Sequence, residues 1–112
     1  MYLDAADAYG IERCWTMTGL PNVQPIRDAL PNHRKGRIQF ICMPNFHRRD
    51  EPGTFTTQWL KDIEGYYAAG SRIIKFWAAP RSIDFAPGPE NPLRLDSPIR
   101  LQGMQLAYDL GY

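Results

Sequence analysis

The sequence predicts an α/β fold built on a parallel sheet. Short apolar stretches alternate with helical stretches along the chain. Three times a predicted helix ends at a glycine and an arginine then leads into an apolar strand; the glycines are Gly10, Gly36 and Gly70. Alternation of this kind requires crossover connections, which are right-handed, and therefore parallel strands.

Three stretches have the composition of strands. Residues 13–17 are β-prone and are followed by turn-forming residues. Residues 37–43 form an apolar run with only Gln39 polar inside it, which is typical of a strand buried on both faces, as in parallel sheets. Residues 72–77 are predicted to form the third strand.

Two helices are predicted in the first third of the chain. Residues 2–9 are rich in Ala, Leu and Asp, and Gly10 follows where a left-handed residue can end the helix. Asn22 can cap a second helix that runs to about Leu30. Pro25 would then lie in its first turn, where a missing N–H costs nothing.

Two further helices complete the pattern. The third is predicted from Thr54 or Thr56 to residue 69, and its apolar positions recur at intervals of four. The fourth, over residues 97–110, starts with a serine cap followed by proline and is expected to end at Gly111. Between strand three and this helix, residues 78–96 are rich in proline and predict a long loop. The apolar positions of the third helix are Trp59, Ile63 and Tyr67.

Composition excludes several functional classes. The net charge is +1, from 13 basic and 12 acidic residues, so no strong field favours nucleic acid or an anionic membrane. The start lacks a signal-peptide pattern, and no apolar run is long enough for a membrane helix. Cys14 and Cys42 fit a reducing compartment, so we expect a cytoplasmic location and free thiols. Strand alternation places these two cysteines at opposite parity.

The predicted order has a helix at each end of the chain. Each outer helix would normally pack beside a strand that the sequence does not contain. We therefore expect residues 1–112 to be one partial domain of a larger protein. The alternative is a small three-stranded α/β domain that begins and ends in helices.

Four segments taken together resemble one known family. Residues 3–13, 37–44 and 70–77, followed by a long loop and residues 95–98, are similar to the amidohydrolase-related, metal-dependent hydrolases. The resemblance covers nearly the whole chain. It implies a partial TIM barrel of about three parallel strands and four helices, lacking the first strand and the C-terminal half of the barrel.

The resemblance also implies a chemistry. Family members use a divalent metal ion, often zinc, to activate water that cleaves a C–N or C–O bond, and some relatives are decarboxylases or hydratases. Their metal ligands include a His-x-His pair, which this sequence lacks, since its only histidines are His33 and His47. The metal is therefore expected in the full-length parent and not on this chain alone, which we expect to be inactive. His33 lies in a helix-to-strand connection and is expected at the surface.

Candidate substrate-binding residues follow the predicted strands, where barrel enzymes place their sites. Lys75 is also a weak catalytic candidate, because some relatives carry a carboxylated lysine between two metals. The alternatives for Lys75 are an ion pair inside the barrel or contact with a substrate carboxylate. In the third predicted strand, alternation groups Ile73, Lys75 and Trp77 on one face and Ile74 and Phe76 on the other. In the first strand it places Cys14, Thr16 and Thr18 on one face, and in the second it places Gln39, Ile41 and Met43 on one face. The candidates are Thr18, His47, Lys75, Trp77 and Arg81.

Two functional classes stay open at this point. One is a fragment of a metal-dependent hydrolase, or of a decarboxylase of the same family. The parent would act on a small-molecule substrate and could form an oligomer. The other is a non-catalytic α/β module that binds a small molecule or a protein. Nucleotide-binding enzymes are disfavoured, because neither a G-x-G-x-x-G nor a P-loop pattern occurs.

Overall fold

The computed structural model describes residues 2–45, 51–76 and 94–112. Within these ranges the chain forms four α-helices, one 3-10 helix and three parallel strands, which confirms the α/β class. In chain order the elements are α1 (Tyr2–Ala8), β1 (Cys14–Met17), α2 (Leu20–Ala29), the 3-10 helix (Asn32–Arg37), β2 (Ile38–Cys42), α3 (Pro52–Ala68), β3 (Ile73–Ile74) and α4 (Pro98–Leu110).

The strands lie in the sheet in the same order as in the sequence, β1-β2-β3. Cys14 pairs with Ile38 and Met17 with Ile41, and Ile41 in turn pairs with Ile73. When two successive right-handed crossovers move in the same direction across a sheet, both of their helices lie on the same face. The sheet therefore has a helix-covered face and an opposite face.

The hydrophobic core lies between the covered face and three helices. Phe40 and Cys42 of β2 are buried there, and Ile38, Ile74 and Phe76 pack against the same cluster. The helices contribute Val23 from α2, Trp59, Ile63 and Tyr66 from α3, and Ile99 and Ala107 from α4. The predicted apolar face of α3 is confirmed at Trp59 and Ile63, while Tyr67 is half-buried and its neighbour Tyr66 is buried instead.

Helices α3 and α4 approach closely because α4 carries a glycine at the contact. A Cβ added to Gly103 would lie 2.2 Å from Cζ3 of Trp59, a separation that real carbon atoms do not tolerate. Trp59 is fully buried at this contact. Glycine therefore sets the spacing of α4 against α3, the helix that packs on β2.

Glycine also ends three of the helices, as predicted for two of the joints and for the last helix. Gly10, Gly70 and Gly111 have φ values of +68°, +91° and +91°, a left-handed conformation in which a side chain is strained. Gly36 differs, because it lies within the 3-10 helix and its φ is not positive. The predicted joint at Gly36 is thus a short helix rather than a glycine turn.

The arginines that follow two of these joints bind main-chain carbonyl groups. Arg72 donates to the carbonyl of Tyr67 at 3.0 Å and its guanidinium lies 3.9 Å from the centre of that tyrosine ring. Arg37 donates to the carbonyls of Ile11 and Glu12 in the segment that precedes β1. These contacts give the repeated arginine a structural role at the amino edge of the sheet.

Helix α1 is held to the 3-10 helix by charge. Arg34 contacts Asp4 at 2.8 Å and Asp7 at 3.1 Å, and Arg37 also pairs with Asp7. The guanidinium of Arg34 lowers the pKa of the Asp4 carboxyl below its usual value. A seven-residue helix is marginal by itself, so these contacts and the buried side chains of α1 position it.

Several predicted boundaries are wrong. Helix α2 starts at Leu20 after Gly19, three residues before Asn22 could have begun one, so Asn22 is not its cap. Helix α3 starts at Pro52 rather than after a threonine cap. Ser97 precedes α4 as predicted, although its side chain makes no capping hydrogen bond. Proline at an early helical position began each of these helices, because its missing N–H and fixed φ cost nothing there.

The predicted opposite parity of the two cysteines is also wrong. Cys14 pairs with Ile38, and alternation along β2 puts Ile38, Phe40 and Cys42 on the same face. Both cysteines are buried and free. They lie at opposite ends of the covered face, four residues apart in register, so the distance along the strands keeps the thiols separate.

In the part of the chain that the structure describes, no helix has both the length and the apolar character needed to cross a membrane.

Candidate functional site

The face of the sheet opposite the helices is apolar and exposed. Trp15 and Met17 of β1 are 53% and 49% exposed, Met43 after β2 is 37% exposed and Ile73 of β3 is 46% exposed. Strand alternation and the pairing register place all four on this side. We call this surface the bare face; its members are Trp15, Met17, Gln39, Ile41, Met43, Ile73 and Lys75.

Lys75 lies at the carboxyl edge of the bare face. Its backbone N–H donates to the carbonyl of Cys42 at 2.8 Å, which continues the β2–β3 ladder one residue past β3. Its ammonium nitrogen reaches across β2 to within 3.7 Å of the Met17 sulfur on β1. The predicted grouping of Ile73 with Lys75, away from Ile74 and Phe76, is therefore confirmed.

Thr18 directly follows β1 at the same edge. Its hydroxyl accepts a hydrogen bond from the Asn22 side chain at 3.4 Å, and its carbonyl accepts one from the Tyr66 hydroxyl. Those contacts anchor the end of β1 to α2 and α3. A substrate contact for Thr18 stays a prediction.

Three predicted site residues cannot be placed. His47, Trp77 and Arg81 lie outside the described residues, as does most of the predicted proline-rich loop over residues 78–96. The other histidine, His33, is exposed on the 3-10 helix, as expected for the amino edge of the sheet. The two candidates within the described ranges, Thr18 and Lys75, lie at the same edge of the sheet.

Sequence reasoning missed a buried serine that joins α3 to the sheet. The Ser71 hydroxyl donates to the carbonyl of Phe40 at 2.6 Å and accepts from the backbone N–H of Cys42 at 3.1 Å. It therefore ties the main chain of β2 to the turn between α3 and β3. The sequence feature that could have indicated this contact is a small hydroxyl residue placed between the helix-ending Gly70 and an apolar strand.

A second buried group on β2 is chemically inert. Desolvation by burial raises the pKa of the Cys42 thiol to about 12, so it is not a nucleophile at neutral pH. The hydroxyl of Tyr112 donates to the carbonyl of Ile63 at 2.6 Å, and burial raises the pKa of Tyr112 and, to about 12, that of Tyr66. This cluster closes the core between β2 and the end of α4.

Buried acidic and basic groups near the covered face are also structural. Asp62 accepts from the backbone N–H of Asn45 at 3.0 Å and from the Gln58 side chain at 2.9 Å, so it fixes the chain that leaves β2. Arg100 in the first turn of α4 is fully buried, and desolvation lowers its pKa. Both were missed, because neither type of residue is expected inside a core.

The described residues do not form a metal site. Within residues 2–45, 51–76 and 94–112, no group of three or more His, Cys, Asp or Glu side chains lies together. A catalytic zinc site needs about three protein ligands. A divalent ion of the kind that the family resemblance implies therefore does not fit the part of the chain whose geometry is known.

Comparisons with descriptions of known protein families, with curated proteins and with solved structures give no match to this chain.

Proposed function

We propose that this chain forms part of the wall of a β/α barrel in a metal-dependent hydrolase of the amidohydrolase-related kind. The observation that carries the proposal is the bare face, an apolar sheet surface that ends in an outward-facing lysine at its carboxyl edge. In such barrels the strands present one face to the helices and the other to a packed interior, and the site lies at the carboxyl ends of the strands.

The strand order supports the same architecture. A barrel is wound in one direction, so its neighbouring strands follow chain order and its helices all lie outside. A doubly wound sheet reverses its order and covers both faces with helices. The order β1-β2-β3 with a single covered face agrees with the first arrangement.

The role of this chain in the reaction would be to bind and orient the substrate. Lys75 and Thr18 would lie at the rim of the site, while β1 to β3 would exclude water from its amino-terminal side. The divalent ion, which supplies activated water in this chemistry, would be held by ligands beyond the described residues of this chain.

The test is to restore the coding sequence that flanks this chain. The proposal predicts a His-x-His upstream and a histidine within roughly ten residues after Tyr112, about one strand and its loop. The extended protein should contain a divalent ion by elemental analysis. It should also hydrolyse an amide or ester in a panel of small substrates, and a chelator should abolish the activity.

The result of that panel also separates the family's two chemistries. Release of CO₂ from a carboxylic acid, without hydrolysis, would indicate the decarboxylase type instead. An extended protein without the histidine pair and without bound metal would refute the proposal.

A further inference from the structure

We propose that the carboxyl end of the bare face binds a small organic carboxylate with an apolar or aromatic body, and that Lys75 binds its carboxylate group. The inference rests on the proposed function, because it names the substrate class of that site.

The position of Lys75 is fixed by the sheet. Its main chain is hydrogen-bonded to Cys42 of β2, so the side chain must leave on the bare face. From there the ammonium lies over β2 and within 3.7 Å of the Met17 sulfur. A thioether is a weak acceptor, whereas an ammonium has three donors, so the group keeps donors that can bind an anion.

The charge of the bare face is unbalanced. Its other members are Trp15, Met17, Gln39, Ile41, Met43 and Ile73, and none of them carries a negative charge. The carboxylate of Asp62 is on α3, on the other side of the sheet, and its two oxygens accept hydrogen bonds from Asn45 and Gln58. No acidic side chain among the described residues pairs with Lys75, so its charge is available to an external anion.

The surroundings decide which kind of anion fits. Three strands about 4.8 Å apart give a surface roughly 10 Å wide, the size of one ring with a short substituent. Met17, Met43 and Ile73 supply thioether and aliphatic area on it, and Trp15 adds aromatic area one side-chain row nearer the amino edge. Inorganic phosphate would gain nothing from this surface, whereas an apolar body next to a carboxylate would bury area and pair its charge.

The test uses the 112-residue chain with ¹³C-methyl methionine and two probes, phenylacetate and its neutral analogue phenylacetamide. Phenylacetate should shift the methyl resonances of Met17 and Met43 but not that of Met104 on α4. Phenylacetamide should bind about tenfold more weakly, the ordinary contribution of a charge-assisted hydrogen bond. Added salt should weaken phenylacetate binding and leave phenylacetamide unchanged.

Two variants complete the test. Lys75→Gln should bring phenylacetate to the affinity of phenylacetamide. Lys35→Gln, which removes an exposed lysine from the 3-10 helix, should leave both affinities unchanged. The inference would be overturned if the unaltered chain bound the two probes equally well. It would also be overturned if phenylacetate shifted only the Met104 resonance, or if inorganic phosphate caused the same shifts as phenylacetate.

The outcome is separate from that of the proposed function, because it needs neither a metal nor turnover. If the extended protein binds the carboxylate but hydrolyses nothing, the inference stands and the proposed hydrolase function is refuted. If the extended protein hydrolyses only neutral substrates, the hydrolase function stands and the inference about carboxylate binding is refuted.

Discussion

Replacing Ser71 with alanine removes one hydroxyl that is hydrogen-bonded to two main-chain groups of β2. The hydroxyl accepts from the N–H of Cys42 and donates to the carbonyl of Phe40, and Ser71 is only 1% exposed. The loss of one oxygen atom leaves too little room for a water molecule to replace it. Ser71→Ala should therefore take one hydrogen bond from each of two buried groups that the pairing of β2 with β3 also engages.

The magnitude follows from those two groups. A hydrogen bond contributes roughly 0.5–1.5 kcal/mol net, so the loss of two should cost about 1–3 kcal/mol. Domains of this size are stable by roughly 5–15 kcal/mol, so the loss should be measurable as a lower free energy of unfolding. Because the carbonyl of Phe40 and the N–H of Cys42 lie in the central strand, the loss should lower the stability of the whole domain.

The assay is urea denaturation followed by far-ultraviolet circular dichroism. The midpoint should fall while the slope with urea stays unchanged, since the surface exposed on unfolding is the same. Thr57→Ala is the matched control: it removes a hydroxyl that donates to the carbonyl of Gly53 at 3.2 Å in an exposed position. The control should change stability by about 0.5 kcal/mol or less. A Ser71→Ala variant as stable as that control would refute the reasoning.

Two further predictions concern ionisation. Because burial raises the pKa of Cys42 to about 12 and the side chain is fully buried, iodoacetamide at about pH 8 should modify Cys42 only after urea unfolds the chain; modification at the rate of a free thiol in native protein would contradict this. Unfolding should also become easier as the pH rises above 9, the ordinary pKa of the thiol, because the unfolded state then loses a proton that the folded state keeps. Arg34 lowers the pKa of Asp4, so this pair stabilises α1 above pH 3.8 and the contribution is lost as the pH falls further. Amide NMR signals of α1 should shift in that acid range, less so at high salt, and Asp4→Asn should shift them at neutral pH; signals insensitive to all three changes would contradict the role of the pair.

The local signals in the sequence were good guides to where elements end. Gly10, Gly70 and Gly111 end helices in the left-handed conformation, as their positions predicted. A glycine stop depends on the φ angle of a single residue, so it is encoded locally. Helix starts were less well predicted, because proline and a threonine or asparagine cap competed within a few residues, and proline set the start at Pro52.

The candidate site was predictable only in part. Lys75 could be assigned to the face opposite Phe76 from alternation within one strand. Its approach to Met17 depends on the register of β1 against β2 and of β2 against β3, which no local signal contains. The same register reversed the predicted parity of the two cysteines.

By itself, the sequence determined the α/β class, the parallel strands and the glycine helix ends, because each depends on composition or on the conformation of a few adjacent residues. Only the tertiary structure decided the strand register, the single covered face and the role of Ser71. Those features arise from contacts between residues about 30 positions apart, such as Ser71 with Phe40 and Cys42. Close packing and the pairing of buried main-chain groups select them, and both act only once the chain has folded.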